Sequence, residues 1–151
     1  MKALISIIAI VLFLFSGTSD SSANDPKTVE DPGINFFEGT WDEALQKAKK
    51  EKKLIFLDVY ATWCGPCKRL AAITFPDPEV GLYYNNHFIN VRLDGEKGEG
   101  RLLAQRYGVR SYPSLLFIDH TGQIVLYTAG FRDPQRFIEL GQSVTEKLRI
   151  K

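Results

Sequence analysis

An apolar run, "KLIFLDVY" (53–60), passes through Ala61 and Thr62 directly into "WCGPCK" (63–68). A run this continuous is rich enough to be covered on both sides, as the inner strands of layered α/β domains are. It delivers Cys64 to the point where the chain leaves a buried strand and, with proline close behind, starts a helix. Little else can precede and follow such a strand. Thr40 and Glu43 have capping-box spacing, opening a helix through 41–50 with Trp41, Ala44, Leu45 and Ala48 on one face. The helix that starts at the cysteines reads to about Phe75, where Pro76 and Pro78 break it, and Glu79 to Asn86 resume as helix.

Beyond this, "HFINVRL" (87–93) reads as a strand and "GRLLAQRY" (100–107) as a short helix, with Gly108 at its C-terminal cap. "SLLFID" (114–119) and "QIVLYTA" (123–129) form a hairpin around the turn "HTG". Asp133-Pro134 caps a last helix that carries Phe137, Leu140, Gly141, Val144 and Leu148 along one face. The order is β-α-β-α-β-α-β-β-α. It implies an α/β fold with a central mixed β-sheet flanked by helices on both faces, parallel except for the terminal hairpin.

The N-terminal stretch stands apart. Met1-Lys2 is basic, "ALISIIAIVLFLF" (3–15) is apolar, and Ser21-Ser22-Ala23 has the small-x-small pattern of a cleavage site. Residues 1–23 therefore read as a secretory signal peptide, 24–33 as a linker and 34–151 as one domain. The alternative is an uncleaved membrane anchor, for which the run is short. A formal net charge of +1 over 151 residues offers no electrostatic footprint for nucleic acid.

Cys64 and Cys67 are the chain's two cysteines, and in an exported protein they could be a staple. A bridge between them closes almost no loop, so it would constrain the unfolded chain very little. A structural zinc site needs four ligands, and His87 and His120 are the only histidines. A c-type haem needs histidine where Lys68 stands. The remaining use is redox. At a helix N-terminus the Cys64 thiol is favoured as thiolate, the form that attacks a disulfide, and Cys67 one turn later can resolve the adduct. Pro66 is tolerated at an early helical position, and Gly65 removes bulk beside the attacking sulfur. Lys68 and Arg69 are either a solvated helix face or a source of positive potential.

Two further features bear on that chemistry. Asp58 sits inside the apolar strand, either turned to a solvated edge or buried below the cysteines with a raised pKa. The second reading is expected here, with Asp58 accepting and returning the Cys67 proton. Tyr112-Pro113, just before a strand, is a candidate cis peptide facing the thiols. The Tyr112 backbone could then pair with an extended substrate segment.

These residues resemble the thioredoxin superfamily. "WCGPCK" is similar to its active-site motif, Asp58 to its buried aspartate, Tyr112-Pro113 to its cis-proline, and "DHTGQIV" with Gly130 to its closing hairpin. The likeness covers about residues 34 to 148. The "TF-x-DP-x-V" continuation at 74–80 is closer to the exported domains typified by the C-terminal domain of the membrane reductase DsbD. Against cytosolic thioredoxin, Asn90 replaces the lysine that neighbours the aspartate, with Arg92 nearby, and Tyr112 is bulkier than the usual isoleucine or threonine. The resemblance implies a thioredoxin fold and a monomeric, periplasmic reductase of protein disulfides; the alternatives are an oxidase or isomerase on the same site, or a thioredoxin-fold binding module with incidental redox activity. Cys64, Cys67 and Asp58 would be catalytic, with Trp63, Gly65, Pro66, Tyr112 and Pro113 contacting substrate. It implies no cofactor and no metal, and a membrane thiol-disulfide donor to restore the dithiol.

Overall fold

The computed structural model describes residues 32–149, and side chains to 147. The segments read as signal peptide and most of the linker lie outside the described residues, as does the side chain of Leu148. The element order is α1 (Trp41–Glu51), β1 (Leu54–Tyr60), α2 (Gly65–Arg69), α3 (Pro78–His87), β2 (Phe88–Asp94), α4 (Gly98–Arg106), β3 (Ser114–Ile118), β4 (Ile124–Ala129) and α5 (Pro134–Arg149). The four strands lie in the order β2-β1-β3-β4, with β1 parallel to β2 and the β1–β3 and β3–β4 pairs antiparallel. The sheet is mixed, as expected, but the expectation of parallel pairing up to the terminal hairpin needs correcting: β3, which follows β2 through α4, runs antiparallel to β1, so β1–β2 is the parallel pair among the described strands.

Helices cover both faces because the strands alternate. On β1, Ile55, Leu57 and Val59 pack with Trp41, Ala44 and Ala48 of α1 and Leu103 and Ala104 of α4. Leu54 and Phe56 point the other way, toward Leu70, Phe75, Val80, Tyr84, Phe137 and Val144. The second face is largely aromatic. The Phe56 ring lies 5.1 Å from Tyr84 and 5.4 Å from both Phe117 and Phe137, and the Tyr84 hydroxyl donates to the Phe137 carbonyl at 2.8 Å. This rigid layer is the floor on which the cysteine helix rests.

One expected element is reduced. The first strand of the sequence pattern survives only as a bridge between Phe36 and Asn90. Its neighbours spend their backbone groups elsewhere: Ile34 N–H donates to the Phe75 carbonyl and Asn35 N–H to the Asn85 side chain. These bonds pin the segment across the sheet edge, so no ladder forms.

The α1 capping box is present. Glu43 N–H donates to Thr40 Oγ1, and Thr40 N–H donates to the Glu43 carboxylate. Thr40→Ala is expected to cost about 1 kcal/mol in urea unfolding, the usual worth of such a cap. An unchanged midpoint would show that the Glu99 carboxylate, which accepts from Trp41 N–H, caps the helix alone.

Candidate active site

β1 ends at Tyr60, and the chain turns through Ala61–Trp63 so that Cys64 becomes the N-cap of α2. Its sulfur accepts a hydrogen bond from Cys67 N–H at 3.1 Å. That donor belongs to the first turn of a helix, where N–H groups lack intrahelical partners, and it stabilises negative charge on Cys64 whenever the pair is reduced. Here Cys64 and Cys67 are joined as a disulfide, their Cα atoms 5.3 Å apart. Both are buried among Ala61, Tyr60 and Tyr112. Pro66 lies in the first turn, where its missing N–H costs nothing. A Cβ on Gly65 would meet no atom of the chain within 4 Å. Packing therefore does not require glycine at this position.

α2 does not stop at Arg69. Leu70–Thr74 continue with π-helical hydrogen bonding, closed by Phe75 N–H donating to the Leu70 carbonyl at 2.9 Å. This continuation turns Leu70 and Phe75 down onto the aromatic face of the sheet.

Strand alternation puts Asp58 on that same face, below the cysteine helix. It is fully buried. Its sheet partner on β2 is Arg92, whose Nε donates to Asp58 Oδ2 at 2.9 Å. Oδ1 is buried with no partner among the described residues. Burial pushes the Asp58 carboxyl up from 3.8 to about 6, with the Arg92 charge and hydrogen bond holding it from rising further. The guanidinium is held in turn by rings, its Cζ 4.3 Å from the Tyr60 centroid and 5.4 Å from that of Phe75. The expectation for Asn90 needs correcting. Asn90 pairs with Phe56, and its amide donates to Asn85 Oδ1, so Arg92 is the residue beside the aspartate.

The peptide bond Tyr112-Pro113 is cis. Pro113 is buried, and its carbonyl accepts from Gly130 N–H at 2.9 Å, tying this turn to the end of β4. The Tyr112 N–H and carbonyl enter none of the backbone hydrogen bonds among the described residues. The Tyr112 ring meets Trp63 edge-on, with centroids 5.9 Å apart. Trp63 is 67 % exposed beside the disulfide. Arg69 lies over the Phe131 ring at 4.0 Å, and Lys68 is exposed. The residues singled out in the sequence therefore converge on one end of the sheet.

A cysteine pair at a helix start, a buried carboxyl on the same sheet face and a cis-proline turn beside it form one constellation. Residues 41–145 match the sequence model of the thioredoxin-like domain. The chain belongs to this family. Among its thioredoxin-like relatives is the thiol:disulfide interchange protein DsbD of Haemophilus influenzae strain PittEE, 28 % identical over 123 residues. That alignment takes in 80 % of this chain and 21 % of DsbD, so the chain spans about a fifth of the DsbD relatives it matches. The C-terminal domain of Neisseria meningitidis DsbD in its reduced form superposes with a TM-score of 0.56 at 31 % identity, covering 67 % of this chain and 90 % of that one. A candidate disulphide-isomerase from Bacteroides thetaiotaomicron superposes with a TM-score of 0.67 at 45 % identity, covering 76 % and 94 %.

Glu96 was not singled out in the sequence, yet the Trp63 indole N–H donates to both of its carboxylate oxygens at 3.1 Å. Nothing in the spacing from 63 to 96 announces this contact. It depends on the parallel β1–β2 register, which places the turn after β2 beside the turn after β1.

Proposed function

We propose that this thioredoxin-like oxidoreductase is exported and reduces protein disulfides. The observation that carries the reading is the Cys64–Cys67 pair at the start of α2, with Cys67 N–H donating to the Cys64 sulfur. In the reduced protein the Cys64 thiolate attacks one sulfur of a substrate disulfide. A Cys64–substrate bond forms, and the other substrate sulfur leaves as thiolate. Cys67 then loses its proton to Asp58 through the unpartnered Oδ1 and attacks Cys64. Substrate leaves with both sulfurs reduced and the Cys64–Cys67 disulfide remains, a two-electron transfer in which thiols are oxidised and one disulfide is reduced. Trp63, Gly65, Pro66, Tyr112 and Pro113 form the docking surface, and the free Tyr112 backbone pairs with an extended substrate segment.

The basic and apolar leader with its Ser21-Ser22-Ala23 site supports export to the periplasm, where the protein works as a monomer. In that oxidising compartment a membrane thiol-disulfide donor must return two electrons to the Cys64–Cys67 disulfide. The likeness to a candidate disulphide-isomerase supports a second reading, in which the same site works as an isomerase or oxidase. The reduction potential decides between them. Equilibration with a thiol buffer should give a value near about −270 mV, the reducing end of the superfamily; a value near about −120 mV would overturn the reductase direction.

A further inference from the structure

The docking surface is charged unequally around the disulfide. On one flank stands Glu96, exposed, with no ion-pair partner among the described residues. It is held in place on two sides. Its N–H donates to Asp94 Oδ1 at 3.0 Å, and its carboxylate accepts the Trp63 indole N–H. The turn beneath is tight. Gly95 N–H donates to the Tyr60 carbonyl at 2.7 Å, and a Cβ on Gly95 would lie 2.7 Å from both the Tyr112 ring and the Val59 side chain. One indole hydrogen leaves most of the carboxylate's acceptor capacity unused. Asp94 shares this flank but is paired with Lys97 at 3.2 Å, so Glu96 is the uncompensated charge. Burial, then the charges of Glu96 and Asp94, push the Tyr112 hydroxyl above its ordinary range, which puts both carboxylates near the Tyr112 turn. Basic side chains also stand near the site: Arg69 over Phe131, whose neighbour Gly130 bonds the Pro113 carbonyl, and Lys68 next to it in sequence.

We propose that Glu96 is a specificity-determining residue, selecting disulfides whose attacked cysteine is flanked by a basic residue. This deepens the reductase reading and rests on it. A Lys or Arg beside the substrate cysteine, in a segment running past Trp63 and Tyr112, meets the free face of the Glu96 carboxylate. An acidic neighbour in the same place meets repulsion. Exposed pairs of this kind are worth little individually, so the expected preference is about threefold in kcat/KM and fades at high salt.

The test uses single turnovers of the reduced full-length protein, whose two thiols are the reductant, on two peptide disulfides. The peptides differ only in Lys or Glu beside the cysteines, and neutral hydroxyethyl disulfide is the third substrate. Wild type should favour the Lys peptide about threefold. Glu96→Gln keeps an acceptor for the indole N–H and should bring the ratio to about one, and Glu96→Lys should reverse it. Trp63 fluorescence unchanged in Glu96→Gln would separate loss of charge from loss of the indole contact. If hydroxyethyl disulfide is reduced but the peptide ratio is one in wild type, or is unmoved by either variant, the Glu96 assignment fails. If wild type reduces hydroxyethyl disulfide no faster than Cys64→Ser, the reductase reading itself fails.

Discussion

Cys64→Ser is expected to bring insulin reduction down to the rate of dithiothreitol alone, while Cys67→Ser stops after one attack and accumulates a covalent adduct. The difference follows from the geometry. Cys64 is the N-cap whose sulfur accepts from Cys67 N–H, so negative charge is stabilised at residue 64. A serine hydroxyl at residue 64 offers no thiolate, and Cys67, inside the first turn, lacks the N-cap position that stabilises one. With serine at 67 the attack still occurs, because the donor is the backbone N–H and survives the substitution. What is lost is the second thiol, so substrate stays attached to Cys64. Neither variant should unfold the domain, since a bridge across three residues closes too short a loop to stabilise much. Mass spectrometry of captured adducts and a turbidity assay check both arms. Retained turnover in Cys64→Ser, or a folded Cys67→Ser that captures nothing, would refute this division of labour.

The fold was readable because its local patterns agree with one another. The β1 run, the capping box at Thr40 and the Asp133-Pro134 start of α5 each predict the element found. The cysteines were readable because their chemistry is bound to local sequence: N-cap, helix start and resolving thiol lie within four residues. Relations set by register were harder to see. Phe88 pairs with Leu54, and this alone brings Arg92 opposite Asp58 and leaves Asn90 opposite Phe56. Both β2 residues alternate to the same face, so composition could not choose between them. Glu96 is hidden for the same reason, since its contact with Trp63 joins two turns held side by side by strand pairing. The leading strand was overread because Ile34, Phe36 and Phe37 look the same whether the segment's amides enter a ladder or are taken by Phe75 and Asn85.

Asp58→Asn should stabilise the disulfide form at neutral pH and leave it unaffected near pH 4. The native carboxyl titrates at about 6 against an ordinary 3.8. Between those values the folded protein binds a proton that the unfolded chain releases, so the contribution of Asp58 to stability is full below about pH 4 and is lost as pH rises through 6. A shift of this size corresponds to about 3 kcal/mol once both states are ionised. The advantage of Asp58→Asn over wild type should therefore grow by up to about 3 kcal/mol between pH 4 and pH 8, read from urea unfolding at each pH. Arg92→Gln should act with the opposite sign. Arg92 lowers the Asp58 pKa, so without it the carboxyl titrates higher. Wild type should then become the more stable protein above pH 6, by an amount that is absent at pH 5. In the proposed mechanism this carboxyl is also the group that takes the Cys67 proton. In Asp58→Asn, release of substrate from Cys64 should slow while the first attack does not, and the pH dependence of release near 6 should vanish. Parallel stability curves for wild type and Asp58→Asn from pH 4 to 8 would show that Asp58 titrates alike in the folded and unfolded chain, Arg92 offsetting its burial, and would leave it too weak a base to take the Cys67 proton.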